Sequence, residues 1–350
     1  MIINASITGI SYTPFLCPDL PLYQFENVQA ALNHDASFLL QTGRHTVAVS
    51  AWVSPKRTRS YPYARVYNTL IASGKKITII PFVKDEGKDG DRDFIQWDTV
   101  SLMSLLGVNV IIAAYADAEK NQRYAHKITN QRFNAEYISG KIQDLLSYQS
   151  DALHWNIEQI NNIAVAAELS KHYYESISIK TGVTLHSVQG IEKRIATIKN
   201  DTFQFLSRKN AQSAQQREIN TIQPKECVQA DMKARINITN YLGGTYYFTC
   251  DEARIEKDTV YIIEGKHTKQ GELPSLDDIK DGLIKMILYS NLKHVSINNT
   301  LYAAKPVLKL TAGGAASGIS ADKKKIIEAL LKEARANNFT LEVPQGYAHA

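Results

Sequence analysis

Two acids and a lysine stand close together late in the chain: Asp251, Glu264 and Lys266. These residue types suit hydrolysis of a phosphodiester. A hard divalent cation such as Mg²⁺ prefers carboxylate oxygens and water. It neutralises developing charge and lowers the pKa of a bound water. A nearby lysine holds or deprotonates that water and stabilises the crowded phosphorus centre. The bare acid–x–lysine tripeptide is weak evidence, because it occurs five times: Glu86 with Lys88, Asp231 with Lys233, Glu264 with Lys266, Asp278 with Lys280, and Asp322 with Lys324.

Context separates the five. The acid and lysine must share a strand face, and residues two apart do so. A second acid must come from the neighbouring strand of a hairpin. The apolar run Val260-Tyr261-Ile262-Ile263 leads directly into Glu264. Asp251 lies thirteen residues earlier, at the expected start of a preceding strand, and a turn at Lys257-Asp258 folds the two together. Asp251 and Glu264 then face one metal, while Glu252 points to the opposite face. The other matches fail: no acid occurs between Asp35 and Asp85 to partner Glu86, Asp278 falls on a helix, Asp322 opens one, and Asp231 follows no apolar run.

The segment CDEARIEKDTVYIIEGKHTK resembles the core of the PD-(D/E)xK nuclease superfamily, which includes many type II restriction endonucleases. The likeness covers 243–292, including the helix after the strand. It implies an α/β fold, a restriction-endonuclease-like core with a mixed central sheet flanked by helices. Carried over, Asp251 and Glu264 bind Mg²⁺ with the Gly265 carbonyl as a further ligand, and Lys266 positions the attacking water. Cys250 stands where the superfamily often has proline. Some members add an acid from an upstream helix, for which Glu192 and Glu218 are the candidates.

Three regions must position these residues. The first, 1–150, reads as α/β, with strands at 45–53, 76–83 and 108–115, a polar loop at 84–93 and a helix at 97–106. It is a candidate for DNA recognition. The second, 151–222, reads as helical and ends at Pro224. The third, 223–350, is the expected nuclease core, with helices at 276–292 and 321–336 and strands at 305–310 and 339–343. Ile279, Leu283, Met286 and Ile287 form the apolar face of the first of these helices.

Two segments are candidates for DNA contact. The stretch 177–194 resembles a helix-turn-helix, with a turn at Gly182-Val183-Thr184 and Thr184 as cap of the second helix. That helix would present His186, Gln189 and Lys193 to a major groove. Lys56, Arg57 and Arg59, near Tyr61, Tyr63 and Arg65, could hold phosphates.

Composition is permissive. The chain has 350 residues, 44% hydrophobic and 21% charged, with net charge +5, which excludes a disorder-prone composition. The mild basic excess fits a nucleic-acid partner without establishing one. Cys17, Cys227 and Cys250 show no zinc spacing, and their sparse, odd count fits a reducing compartment. No secretory signal or membrane-length apolar run is visible, so a cytoplasmic location is expected. Asp89, Asp91 and Asp93 begin like a calcium loop but lack its glycine and glutamate. The glycine-rich 313–318 lacks a P-loop ending.

The expectation is therefore a Mg²⁺-dependent type II restriction enzyme. It would act on double-stranded DNA as a homodimer, beside a cognate DNA methyltransferase that acts on the same site and need not bind this protein. The alternatives are a structure-specific repair or recombination nuclease of the same superfamily, and a non-catalytic helix-turn-helix regulator.

Overall fold

In the computed structural model the described residues are 1–55, 62–200, 232–240, 245–269, 273–313 and 320–344. The chain divides into two compact units: Met1–Pro18 with Ser207–Ala350, and Asp19–Leu206. This differs from the expected boundaries at 150 and 222. The α/β and helical regions merge into one unit, and the first residues leave it. The reason is strand pairing between distant parts of the chain, which composition does not register.

That pairing is made by β1 (Ile2–Ile7). It alternates, with Ile3, Ala5 and Ile7 buried, as a half-covered strand does.

The second unit comprises β2 (Leu22–Gln24), α1 (Val28–His34), β3 (Ser37–Thr42), β4 (His45–Ala51), α2 (Pro62–Asn68), β5 (Lys76–Pro81), β6 (Val83–Asp85), β7 (Arg92–Phe94), α3 (Trp97–Leu105), β8 (Asn109–Ala113), β9 (Tyr115–Lys120), β10 (Ile128–Phe133), α4 (Ala135–Ser147), α5 (Ala152–Asn161), α6 (Ile163–Thr181) and α7 (Gln189–Asn200). Its main sheet runs β2-β3-β4-β5-β8. The β4, β5 and β8 strands are parallel neighbours and buried almost throughout. Parallel strands covered on both faces need such continuous apolar runs. The polar loop expected at 84–93 is partly a hairpin, β6 against β7. The strand expected at 108–115 divides into β8 and the start of β9.

The first unit resumes with β11 (Met232–Asn240), β12 (Thr245–Glu256), β13 (Thr259–Thr268), α8 (Leu276–Ser290), β14 (Lys293–Ile297), β15 (Thr300–Leu301), β16 (Ala303–Ala312), α9 (Ala321–Asn337) and β17 (Thr340–Glu342). The sheet order is β15-β14-β1-β11-β12-β13-β16-β17. It is mixed: β1 is parallel to β11, the β11-β12-β13 run is antiparallel, and β13, β16 and β17 are parallel. Only Tyr302 separates β15 from β16. Its N–H bonds Val295 O, while the next N–H, of Ala303, bonds Asp258 O. The sheet therefore curls until β14 and β13 flank one extended stretch of chain.

Both units are α/β with mixed sheets flanked by helices. Helix α8 begins at Ser275, whose hydroxyl accepts from the Asp278 N–H, with Asp277 and Asp278 in its first turn, favourable at the positive end of a helix. The expected face of Ile279, Leu283, Met286 and Ile287 is buried, laid on β13 and β16.

Candidate active site

The turn expected at Lys257-Asp258 closes the β12–β13 hairpin, with Lys257 at φ 52°. Pairing runs from Glu256 opposite Thr259 to Glu252 opposite Ile263. The paired register stops there, one residue short of Asp251 and Glu264. One Asp251 oxygen, Oδ2, accepts the Gly265 N–H at 2.9 Å. Asp251 lies in mid-strand, not at a strand start as expected, because β12 runs unbroken from Thr245. A bulge makes the difference. The β11–β12 register steps from Ala234 opposite Cys250 to Met232 opposite Ala253. Asp251 and Glu252 thus share a single partner position, and such an extra residue re-aims side chains.

Glu264 and Lys266 lie on the β13 face beneath α8. Glu264 is only 2% exposed. Its two oxygens each meet a lysine: Oε1 stands 3.1 Å from Lys266 Nζ, and Oε2 2.7 Å from Lys285 Nζ. Lys266 Nζ also reaches Asp281 Oδ2 at 2.6 Å. Asp281 and Lys285 come from one face of α8, one turn apart. The charges therefore alternate Asp281–Lys266–Glu264–Lys285, with Asp251 at the solvent side.

Gly282 lets this happen. A Cβ there would stand 2.8 Å from Leu308 Cδ1, 3.2 Å from Lys266 Cε and 3.4 Å from Lys266 Cγ. The Lys266 stem crosses the helix in the space that the missing side chain leaves.

Burial pulls the Lys266 pKa down. Asp281 and Glu264, by charge and hydrogen bonding, more than reverse this, so it rests above the ordinary lysine value. Lys266 is an ammonium at neutral pH: a donor and a positive charge, not a base. Burial pushes the Cys250 thiol up to about 11, so the residue in the proline position is neutral and bonds Ala234 O through Sγ at 3.7 Å.

Glu252 faces away, with Oε2 3.7 Å from Lys309 Nζ. His267 also faces away, its Nδ1 2.9 Å from Thr311 Oγ1. Of the proposed upstream acids, Glu192 lies in the other unit and pairs with Lys171, and Glu218 falls outside the described residues. Sequence reasoning missed Asp281 and Lys285. The available signal was two opposite charges four apart on a helix following the strand.

The helix-turn-helix expected at 177–194 is not formed. Helix α6 does end at a left-handed Gly182, but seven residues, 182–188, precede α7. That is longer than the three- or four-residue turn of the motif. Thr184 lies in this connection, with its carbonyl accepting the Lys88 N–H. His186 is half-buried and bonds Asp85, Nδ1 to Oδ1 at 2.9 Å. Gln189 and Lys193 are exposed on α7. Lys56, Arg57, Arg59 and Tyr61 lie outside the described residues. Near them Tyr63 is buried, and Arg65 donates through Nη1 to Ala51 O. The glycine-rich stretch at 313–318 is described only at Gly313.

Among the described residues no three His, Cys, Asp or Glu side chains converge as a metal cluster. Asp251, Glu264 and the Gly265 carbonyl are nonetheless hard oxygen donors of the kind Mg²⁺ takes, and Mg²⁺ usually keeps several waters. Carboxylate oxygens that accept a lysine proton still have lone pairs to offer. No helix among the described residues is long and apolar enough to cross a membrane. The chain matches no family model, no curated protein and no solved structure.

Proposed function

We propose that this chain is a Mg²⁺-dependent endonuclease of the PD-(D/E)xK kind that makes site-specific double-strand breaks in DNA. The observation that carries the reading is that Asp251, Glu264 and Lys266 meet on one short stretch of β13. Asp251 accepts the N–H of Gly265, which lies between the other two, and Lys266 Nζ stands 3.1 Å from Glu264 Oε1 under α8. Asp251 and Glu264, with the Gly265 carbonyl, would hold the cation. The cation, when bound, supplies a lowered water pKa and charge neutralisation at the phosphate.

Lys266 does the work of position. Held between Glu264 and Asp281, its ammonium has a fixed direction and one remaining proton to offer a water or a phosphate oxygen. A two-fold dimer would present two such sites to a palindrome. The regulator alternative loses its main support with the helix-turn-helix.

The test is plasmid DNA incubated with and without Mg²⁺, beside a Lys266→Ala protein. Discrete fragments from the wild type alone are expected. Nicking only at branched or flapped DNA would point to a repair or recombination nuclease. Absence of metal-dependent cleavage of any DNA or RNA would overturn the nuclease reading.

A further inference from the structure

Glu264 carries two lysines where one would suffice. Lys266 has a second anchor in Asp281, so it stays in place whatever Glu264 does. Among the described residues Lys285 makes its single ion pair with Glu264 Oε2, on the acid's other side. Among the described residues no other acid is paired with it. The neighbouring β16 positions, Leu308 and Leu310, are buried and apolar, Cys250 is neutral, and Asp281 is taken by Lys266.

The charges of the site are Asp251, Glu264 and Asp281 against Lys266 and Lys285, a net of −1. One negative charge is thin compensation for a divalent cation in a partly buried place. Without Lys285 the net becomes −2. The Lys285 side chain keeps some exposure, 14%, and lysine carries its charge on a flexible four-carbon stem. It therefore has a route to solvent.

We propose that Lys285 is the resident counter-ion of this site. It lies against one of the two Glu264 oxygens that a divalent cation would use, so the cation must displace the ammonium or bind against its charge. The inference rests on Asp251 and Glu264 being cation ligands, as in the proposed function. It adds that α8 sets the affinity: the protein holds Mg²⁺ more weakly than its two acids would allow, and the free site is held to a net charge of −1.

The test is Mn²⁺ binding to the full chain by titration calorimetry, without nucleic acid. Lys285→Met removes the charge and keeps the volume. It is expected to bind Mn²⁺ about ten-fold tighter or more, because the ammonium no longer opposes the ion at close range. Lys285→Arg keeps the charge and is expected to bind no tighter than the wild type. If Lys285→Met does not fold, Lys285→Gln carries the same expectation. Equal or weaker binding by the neutral variant, or no binding by either protein, overturns the proposal. The two readings separate. Wild-type cleavage with unchanged Mn²⁺ affinity in Lys285→Met sinks the counter-ion and leaves the nuclease. Tighter binding without cleavage of any nucleic acid does the reverse.

Discussion

At Lys266 burial and charge oppose each other, and distance decides. Burial favours the neutral amine, but carboxylates at 2.6 and 3.1 Å favour the ammonium more. The same competition runs in the other direction at Asp117 in the second unit. Burial there raises the carboxyl, but hydrogen bonds from Lys180, Arg132 and the Ala118 N–H outweigh it and bring the pKa down to about 2. A depressed carboxylate stabilises the fold above its unfolded pKa of 3.8, and the gain is lost as pH falls towards 2. Asp117 is 37% exposed, so screening holds its contribution to about 1 kcal/mol or less. Asp117→Asn should therefore melt slightly below the wild type at neutral pH, and the gap should close between pH 3.8 and 2. Thermal unfolding across that range checks it. A gap unchanged at pH 2 would show that packing, not charge, is responsible.

The elements were readable where their cause is local. The β12–β13 hairpin follows from an apolar run, a turn and a second run, and it brings Asp251 onto the Gly265 N–H. The apolar face of α8 follows from helical spacing. Asp281 and Lys285 were not readable as site residues, because their role depends on how α8 is rotated over the sheet. That rotation is set by Gly282 against Leu308 and Lys266, contacts between separate elements. The bulge at Asp251 was also hidden, since it exists only relative to β11. In the second unit Gly182 marked a helix end correctly, yet the next helix waits until Gln189. His186 bonds the distant Asp85 instead of facing a groove.

Gly282 also yields a prediction. Glycine to alanine in a helix interior ordinarily stabilises by about 1 kcal/mol. Here the new methyl meets Leu308 Cδ1 at 2.8 Å, and Leu308 is fully buried. Overpacking of that kind costs about 1–3 kcal/mol, so Gly282→Ala should be net destabilising by roughly 1 kcal/mol. It should also displace the Lys266 stem and, on the proposed nuclease function, lower cleavage further than the stability loss explains. Urea unfolding measured beside the cleavage rate separates the two effects. A more stable, fully active variant would show that α8 does not seat as described.

At the scale of the whole molecule, the first eighteen residues complete a unit whose remainder begins at Ser207. Strand β1 sits between β14 and β11, so removing it breaks the sheet's join between those two strands. The loss includes two buried isoleucines, Ile3 and Ile7, worth about 1.5–3 kcal/mol each. It also strips α9 of partners. Glu333 is fully buried and accepts from Tyr12 Oη at 2.7 Å and the Phe15 N–H at 3.0 Å. Asn337 exchanges two hydrogen bonds with the Thr13 backbone. A buried carboxylate that loses two of its hydrogen-bond donors costs a further 1–3 kcal/mol or so. These losses together rival the roughly 5–15 kcal/mol that stabilises a whole domain. Residues 207–350 expressed alone should therefore show no cooperative thermal transition. Residues 19–206, whose sheet and core are their own, should show one. Adding a peptide of residues 1–18 to the longer-numbered fragment should restore its transition by strand insertion. Cooperative melting of 207–350 without the peptide would mean that β1 is an accessory to this sheet and not one of its structural strands.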